Sequence, residues 1–120
     1  MNQVINLKHK ASLFTDHWSP KVIAELNDYQ FKLAKLKGEF DWHKHDDTDE
    51  AFLIQSGELI IELPDNESVH LAEGEMFVVP KGLMHKPVAK EECTALIIEP
   101  KGLINTGEKN KHTAENDVRI

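Results

Sequence analysis

The 120-residue sequence is 40% hydrophobic and 29% charged, an ordinary balance for a soluble globular chain and long enough to bury a core without staples. Fourteen Lys and Arg against 21 Asp and Glu leave a net charge of −7, which argues against nucleic acid or an anionic membrane as partner. No run of eighteen apolar residues, no signal-peptide pattern over Met1–Lys10 and a single cysteine, Cys93, make the cytoplasm the expected location.

The first twenty residues are mixed. Lys10–Asp16 allows one helical turn or two, without a convincing cap, and Ser19-Pro20 breaks what precedes it. Short apolar runs then follow at close spacing. Val22–Leu26 leads to the turn pair Asn27-Asp28, and Tyr29–Leu33 alternates with period two, less cleanly on to Lys37. Beyond Gly38 a strand is expected over Glu39–His45, then strands over Ala51–Ser56, Glu58–Leu63, Ser68–Ala72, Met76–Val79, His85–Ala89 and Cys93–Glu99. Gly, Pro and Asn separate them, and no segment between 50 and 100 keeps a helical period. This is the pattern of an all-β sandwich or barrel. The tail from Lys101 is polar apart from Val118 and Ile120, and one domain over residues 1–120 is expected.

The chemistry gathers in His43-Lys44-His45-Asp46-Asp47-Thr48-Asp49-Glu50. On extended backbone, residues i and i+2 share a face, so His43 and His45 can aim both imidazoles at one point. A bend after Asp46-Asp47 can return Glu50 to that point on the next strand. Imidazole nitrogens with a carboxylate suit a divalent transition metal. Asp49 competes as the carboxylate, but only one of two adjacent strand residues can face inward, and the spacing favours Glu50. Phe52 and Ile54 share the parity of Glu50 and are expected to line the cavity beside it or to pack in the core. Trp42, of opposite parity to His43, belongs in a second layer or a subunit contact.

The second informative stretch runs from Gly74 to His85. Gly74 permits a turn, Pro80 ends a strand, and Gly82 allows a positive φ before His85. Taken alone, His85 reads either as structural or as a fourth ligand. Together the stretches resemble the cupin superfamily: His43-x-His45-x4-Glu50-x6-Gly57 matches its first signature, and Gly74-x5-Pro80-x-Gly82-x2-His85 its second. The motifs cover residues 38–89, and the chain looks like a small conserved-barrel cupin, the kind often labelled phosphomannose-isomerase-like. Two departures stand out. Gly38 precedes His43 by four intervening residues where the family usually has five, and Ala89 stands where the second motif closes on Asn.

The resemblance implies a β-jelly-roll barrel holding one divalent metal (Mn, Fe, Ni, Zn or Cu) on His43, His45, Glu50 and His85. Ligands on rigid strands leave positions open for water, oxygen or substrate, unlike a closed structural zinc site. The expected function is therefore a metal-dependent enzyme, of dioxygenase, isomerase or lyase type, on a small oxygenated molecule. The alternative is a non-catalytic module that binds a small molecule or sugar. No residue outside the ligands declares itself an acid or base. Cys93 reads as an inert buried thiol, Lys81 as solvated near the barrel mouth, and His9, His17, His70 and His112 as surface residues. Apolar residues on both faces of Leu59–Ile61 and Leu96–Ile98 suggest a homodimer.

Overall fold

A computed structural model describes residues 3–120. The described residues form one short helix, α1 (Leu7–Ala11), and seven strands: β1 (Lys21–Leu26), β2 (Tyr29–Glu39), β3 (Glu50–Ser56), β4 (Leu59–Glu62), β5 (Ser68–Leu71), β6 (Met76–Val79) and β7 (Lys86–Pro100). The helix comes earlier than the sequence suggested because Asn6 caps it, its side chain accepting the His9 N–H at 2.8 Å.

All strand pairs are antiparallel. The order β1-β2-β7-β3-β6 makes one layer, and β4, paired with both β5 and β7, begins the other. The hinge between layers is β7. Its first residues pair with β4 (Ile60 with Val88) and with the end of β2 (Glu39 with Val88), whereas Cys93–Pro100 pairs with the rest of β2 and Thr94–Ile98 with β3. The two separate strands expected over 85–89 and 93–99 are thus one bent strand. The exposed Lys90-Glu91-Glu92 run that looked like a loop lies at the bend, where the β2–β7 register shifts. This jelly roll encloses a core drawn from both layers, including Leu36, Phe52, Ile54, Leu59, Ile61, Leu71, Cys93 and Ile97.

The alternation in β2 faces opposite to what its apolar residues invite. Leu33 packs on the outer face with Phe14 and Leu96, under the N-terminal segment. Lys32, buried, points inward instead. The polar tail wraps along the barrel, and Val118 and Ile120 have a use there. The Val22 N–H donates to the Val118 carbonyl at 2.7 Å, and the Ile120 N–H returns to the Val22 carbonyl at 3.2 Å. Among the described residues no helix is long and apolar enough to cross a membrane.

Candidate metal centre

The segment between β2 and β3 is not the regular strand expected over 39–45. It is held to the chain before β7 by three bonds: Phe40 N–H to the Pro87 carbonyl (3.0 Å), and His43 and His85 exchanging theirs at 3.0 and 2.9 Å. The His45 carbonyl is drawn aside to accept the Gly82 N–H at 2.8 Å, which ends the ladder. Two-residue alternation nevertheless survives, with His43 and His45 buried and Trp42 and Lys44 outside. Glu50 opens β3, paired with Val79 just before the Pro80–Gly82 turn that delivers His85. Asp49 faces away from the histidines: its Oδ1 accepts the Lys81 N–H at 2.9 Å and fixes that turn.

His43, His45, Glu50 and His85 are all buried, and one ligating atom from each lies within 4.8 Å of all the others. Glu50 Oε2 is 3.5 Å from His45 Nε2, and Oε1 is 3.5 Å from His85 Nε2. Glu50 Oε1, His85 Nε2 and both His45 nitrogens have no hydrogen-bond partner. Leaving so many buried polar atoms unmet is costly unless something else binds them. The tautomers agree. His43 Nδ1 faces the Asp41 carbonyl at 2.8 Å and His85 Nδ1 the Leu83 carbonyl at 2.9 Å. A carbonyl can only accept, so each Nδ1 carries the proton and each Nε2 keeps its lone pair. Buried lone pairs converging with a carboxylate fit a divalent metal site.

Electrostatics favours the ligating states. Burial, and then the neighbouring His85, lower the His43 pKa to about 4, so the ring is neutral near pH 7. Burial alone would raise the Glu50 carboxyl, but His45, His85 and the adjacent Glu99 outweigh it and hold it below the usual carboxylate range.

Residues 31–99 match the cupin domain family. The chain is a cupin. It is 34% identical over 101 residues to the uncharacterized protein YdbB of Bacillus subtilis strain 168, covering 84% of this chain and 89% of that one. A solved cupin-2 domain protein from Shewanella frigidimarina NCIMB 400 shares 59% identity at a TM-score of 0.80, covering 82% of this chain and 95% of that one. A 3-hydroxyanthranilate 3,4-dioxygenase 2 of Aspergillus fumigatus is 28% identical over 80 residues, which cover 62% of this chain and 42% of the enzyme. The cupin thus matches less than half the length of that dioxygenase.

A small cavity of about 30 Å³ opens inside the cupin barrel against His43 and Glu50. Phe52 lines it with Leu36 and Ile97, whereas Ile54, on the same face, is packed in the core. Trp18 and Phe40, stacked at 4.7 Å between ring centroids, also line it and border an outer pocket of about 410 Å³. A larger groove of about 680 Å³ lies over β4 and β5, and none of the four clustered residues lines it.

Among the cavity residues that sequence reasoning passed over, the charged one is Glu99. It is 2% exposed and pairs with Lys32, Nζ to Oε1 at 3.1 Å. Burial, and next the charge of Glu50, push its carboxyl well above the usual range, with Lys32 opposing. Its signal was parity: Cys93, Ala95 and Ile97 are buried core residues, so a charge two further along the same strand faces the same way. The remaining residues lie elsewhere. Trp42 is on the outer surface, and Cys93 is fully buried, its thiol pushed up to about 11 by that burial. His17 and His112 pair at the surface with Glu92 (2.7 Å) and Asp41 (2.9 Å).

Proposed function

We propose that this cupin is a metal-dependent enzyme acting on a small oxygenated molecule, with one divalent transition metal held by His43, His45, Glu50 and His85. The observation that carries this reading is the buried cluster of unpartnered ligating atoms, which is costly for the protein without an occupant. Among dioxygenase, isomerase and lyase chemistry, the dioxygenase stands first, supported by the likeness to 3-hydroxyanthranilate 3,4-dioxygenase 2. When bound, the metal supplies Lewis acidity or a redox-active open position. The chain's part is to keep His43 and His85 in the Nε2-ligating tautomer through the Asp41 and Leu83 carbonyls. Leu36, Phe52 and Ile97 meanwhile limit the water beside it.

The test is reconstitution of apoprotein with Fe(II), Mn(II), Ni(II) or Zn(II), followed by catechols, 3-hydroxyanthranilate, diketones, thiols and sugar phosphates. Oxygen uptake and product mass are followed together. Oxygen-dependent turnover with Fe(II) and none with Zn(II) is the expected result. Turnover of a sugar phosphate with Zn(II) and no oxygen would instead favour the phosphomannose-isomerase-like label. A ligand that raises the melting temperature without product under any metal would point to a binding module. Apoprotein that takes up none of these metals at neutral pH removes the reading altogether.

A further inference from the structure

Lys32 on β2 and Glu99 on β7 are both buried, their side chains 4% and 3% exposed. A buried ion pair recovers its desolvation cost only if well bonded, and an apolar pair of like volume is often as stable or more so. Stability is therefore a poor reason for its presence. The bonding is also lopsided. Lys32 Nζ reaches Glu99 Oε1 at 3.1 Å and the Leu103 carbonyl at 3.2 Å, while Glu99 Oε2 is buried with no N–H or hydroxyl donor on it, and the Glu50 carboxyl lies beside Glu99. Glu99 lines the same cavity as His43 and Glu50, and most of the remaining wall is apolar.

Building on the metal-dependent reading above, we propose that Glu99 is a substrate-binding residue: Oε2 hydrogen-bonds the hydroxyl of a small, uncharged, otherwise apolar molecule such as a phenol. Lys32 positions the carboxyl by occupying its other oxygen. A hydroxyl both donates and accepts, so it satisfies the carboxyl in either protonation state. Charge decides against an anionic group at this end, because Glu50 and Glu99 already crowd it. Size decides where the body of the molecule lies. About 30 Å³ admits a hydroxyl but no ring, whereas Trp18 and Phe40 also border the outer pocket of about 410 Å³. Trp18 sits at φ +57°, a conformation that bulky residues rarely adopt, and its ring forms one side of the stack. The two rings are stacked in contact, so entry of the ligand's ring parts them, its hydroxyl leading to Glu99.

The experiment compares phenol with toluene by calorimetry on full-length protein, both Zn(II)-loaded and metal-free. Wild type should prefer phenol by about tenfold or more, the worth of one buried hydrogen bond. Lys32→Met combined with Glu99→Leu should bring that ratio close to one in the metal-free protein, where an effect of Glu99 on zinc through its neighbour Glu50 does not enter. Glu99→Gln, whose amide still hydrogen-bonds, should keep most of the preference. Should the double variant fail to fold, infrared spectroscopy decides. The carboxyl band that Glu99→Gln removes should shift when phenol is added to wild type and stay in place with toluene. A wild-type ratio near one, a ratio surviving in the folded double variant, or a band unmoved by phenol overturns the assignment. Failure of the metal reading is separate: it appears as wild type without zinc, whatever the phenol ratio.

Discussion

Glu50 and Asp49 are neighbours with opposite tasks, and their amide variants should separate cleanly. Glu50→Gln removes the one negative charge in the cluster and should weaken metal binding beyond the roughly 10- to 100-fold that losing a supporting group costs. Asp49→Asn, outside the cluster, keeps an acceptor for the Lys81 N–H and should stay within a few-fold of wild type. Metal titration with a competing chelator measures both, and equal losses would mean the carboxylate is misassigned. The His43 imidazole adds a pH dependence to the apoprotein. Its pKa is lowered on folding from 6.5 to about 4, so the unfolded chain binds the extra proton between those values. Stability should be unaffected above about pH 6.5 and fall by on the order of 3 kcal/mol as pH drops to 4. Wild-type urea midpoints no more pH-dependent across pH 4–6.5 than those of His43→Gln would contradict this. At this scale the buried cluster of His43, His45, Glu50 and His85 was legible because two-residue alternation survives even where the strand does not. Glu99 was less so. Its partner Lys32 lies on a strand far away in sequence, and the apolar residues beside Lys32 belong to an outer face that the N-terminal segment covers.

Two glycines show how the elements carry the cluster. A Cβ on Gly57, at φ +81°, would stand 2.8 Å from the Glu92 carbonyl oxygen and 3.0 Å from Cys93 Cα, against the bend of β7. Gly57→Ala should cost roughly 1–3 kcal/mol and lower the melting temperature of apo and metal-loaded protein alike. Gly107, in the C-terminal segment, would place its Cβ 2.2 Å from the carbonyl oxygen of Lys44, the residue between the two histidines. Gly107→Ala should therefore move the histidine segment: metal affinity falls, with a smaller change in apoprotein stability than Gly57→Ala gives. A Gly107→Ala protein that melts early yet binds metal normally would place the segment's role elsewhere. Most strands of the barrel were readable from short apolar runs and the Gly, Pro and Asn between them. The continuity of β7 was not, because a bend made of exposed charged residues has the composition of a loop. Nor was the irregular path of residues 40–49, which long-range bonds from Gly82 and Pro87 impose.

For the molecule as a whole, the surplus apolar face has a defined place. Leu33, Leu96, Leu53 and Met76 stand in register across the outer side of β2, β7, β3 and β6. The N-terminal segment covers the Leu33 end, but Met76 and Val78 on β6 are 59% and 46% exposed. Pairing two copies over that edge would cover it, so light scattering should give about twice 13.7 kDa. Met76→Glu should shift the mass toward one chain, and a monomeric wild type at micromolar concentration would sink the idea. Cys93 lends the same molecule a built-in clock. As the single thiol, wholly enclosed where β7 crosses β2, it meets a labelling reagent only when those strands part. At reagent concentrations where labelling outpaces reclosing, the rate of native-state labelling therefore counts barrel openings, with no probe to introduce, and its slowing on metal addition would report how far the ion keeps the barrel shut.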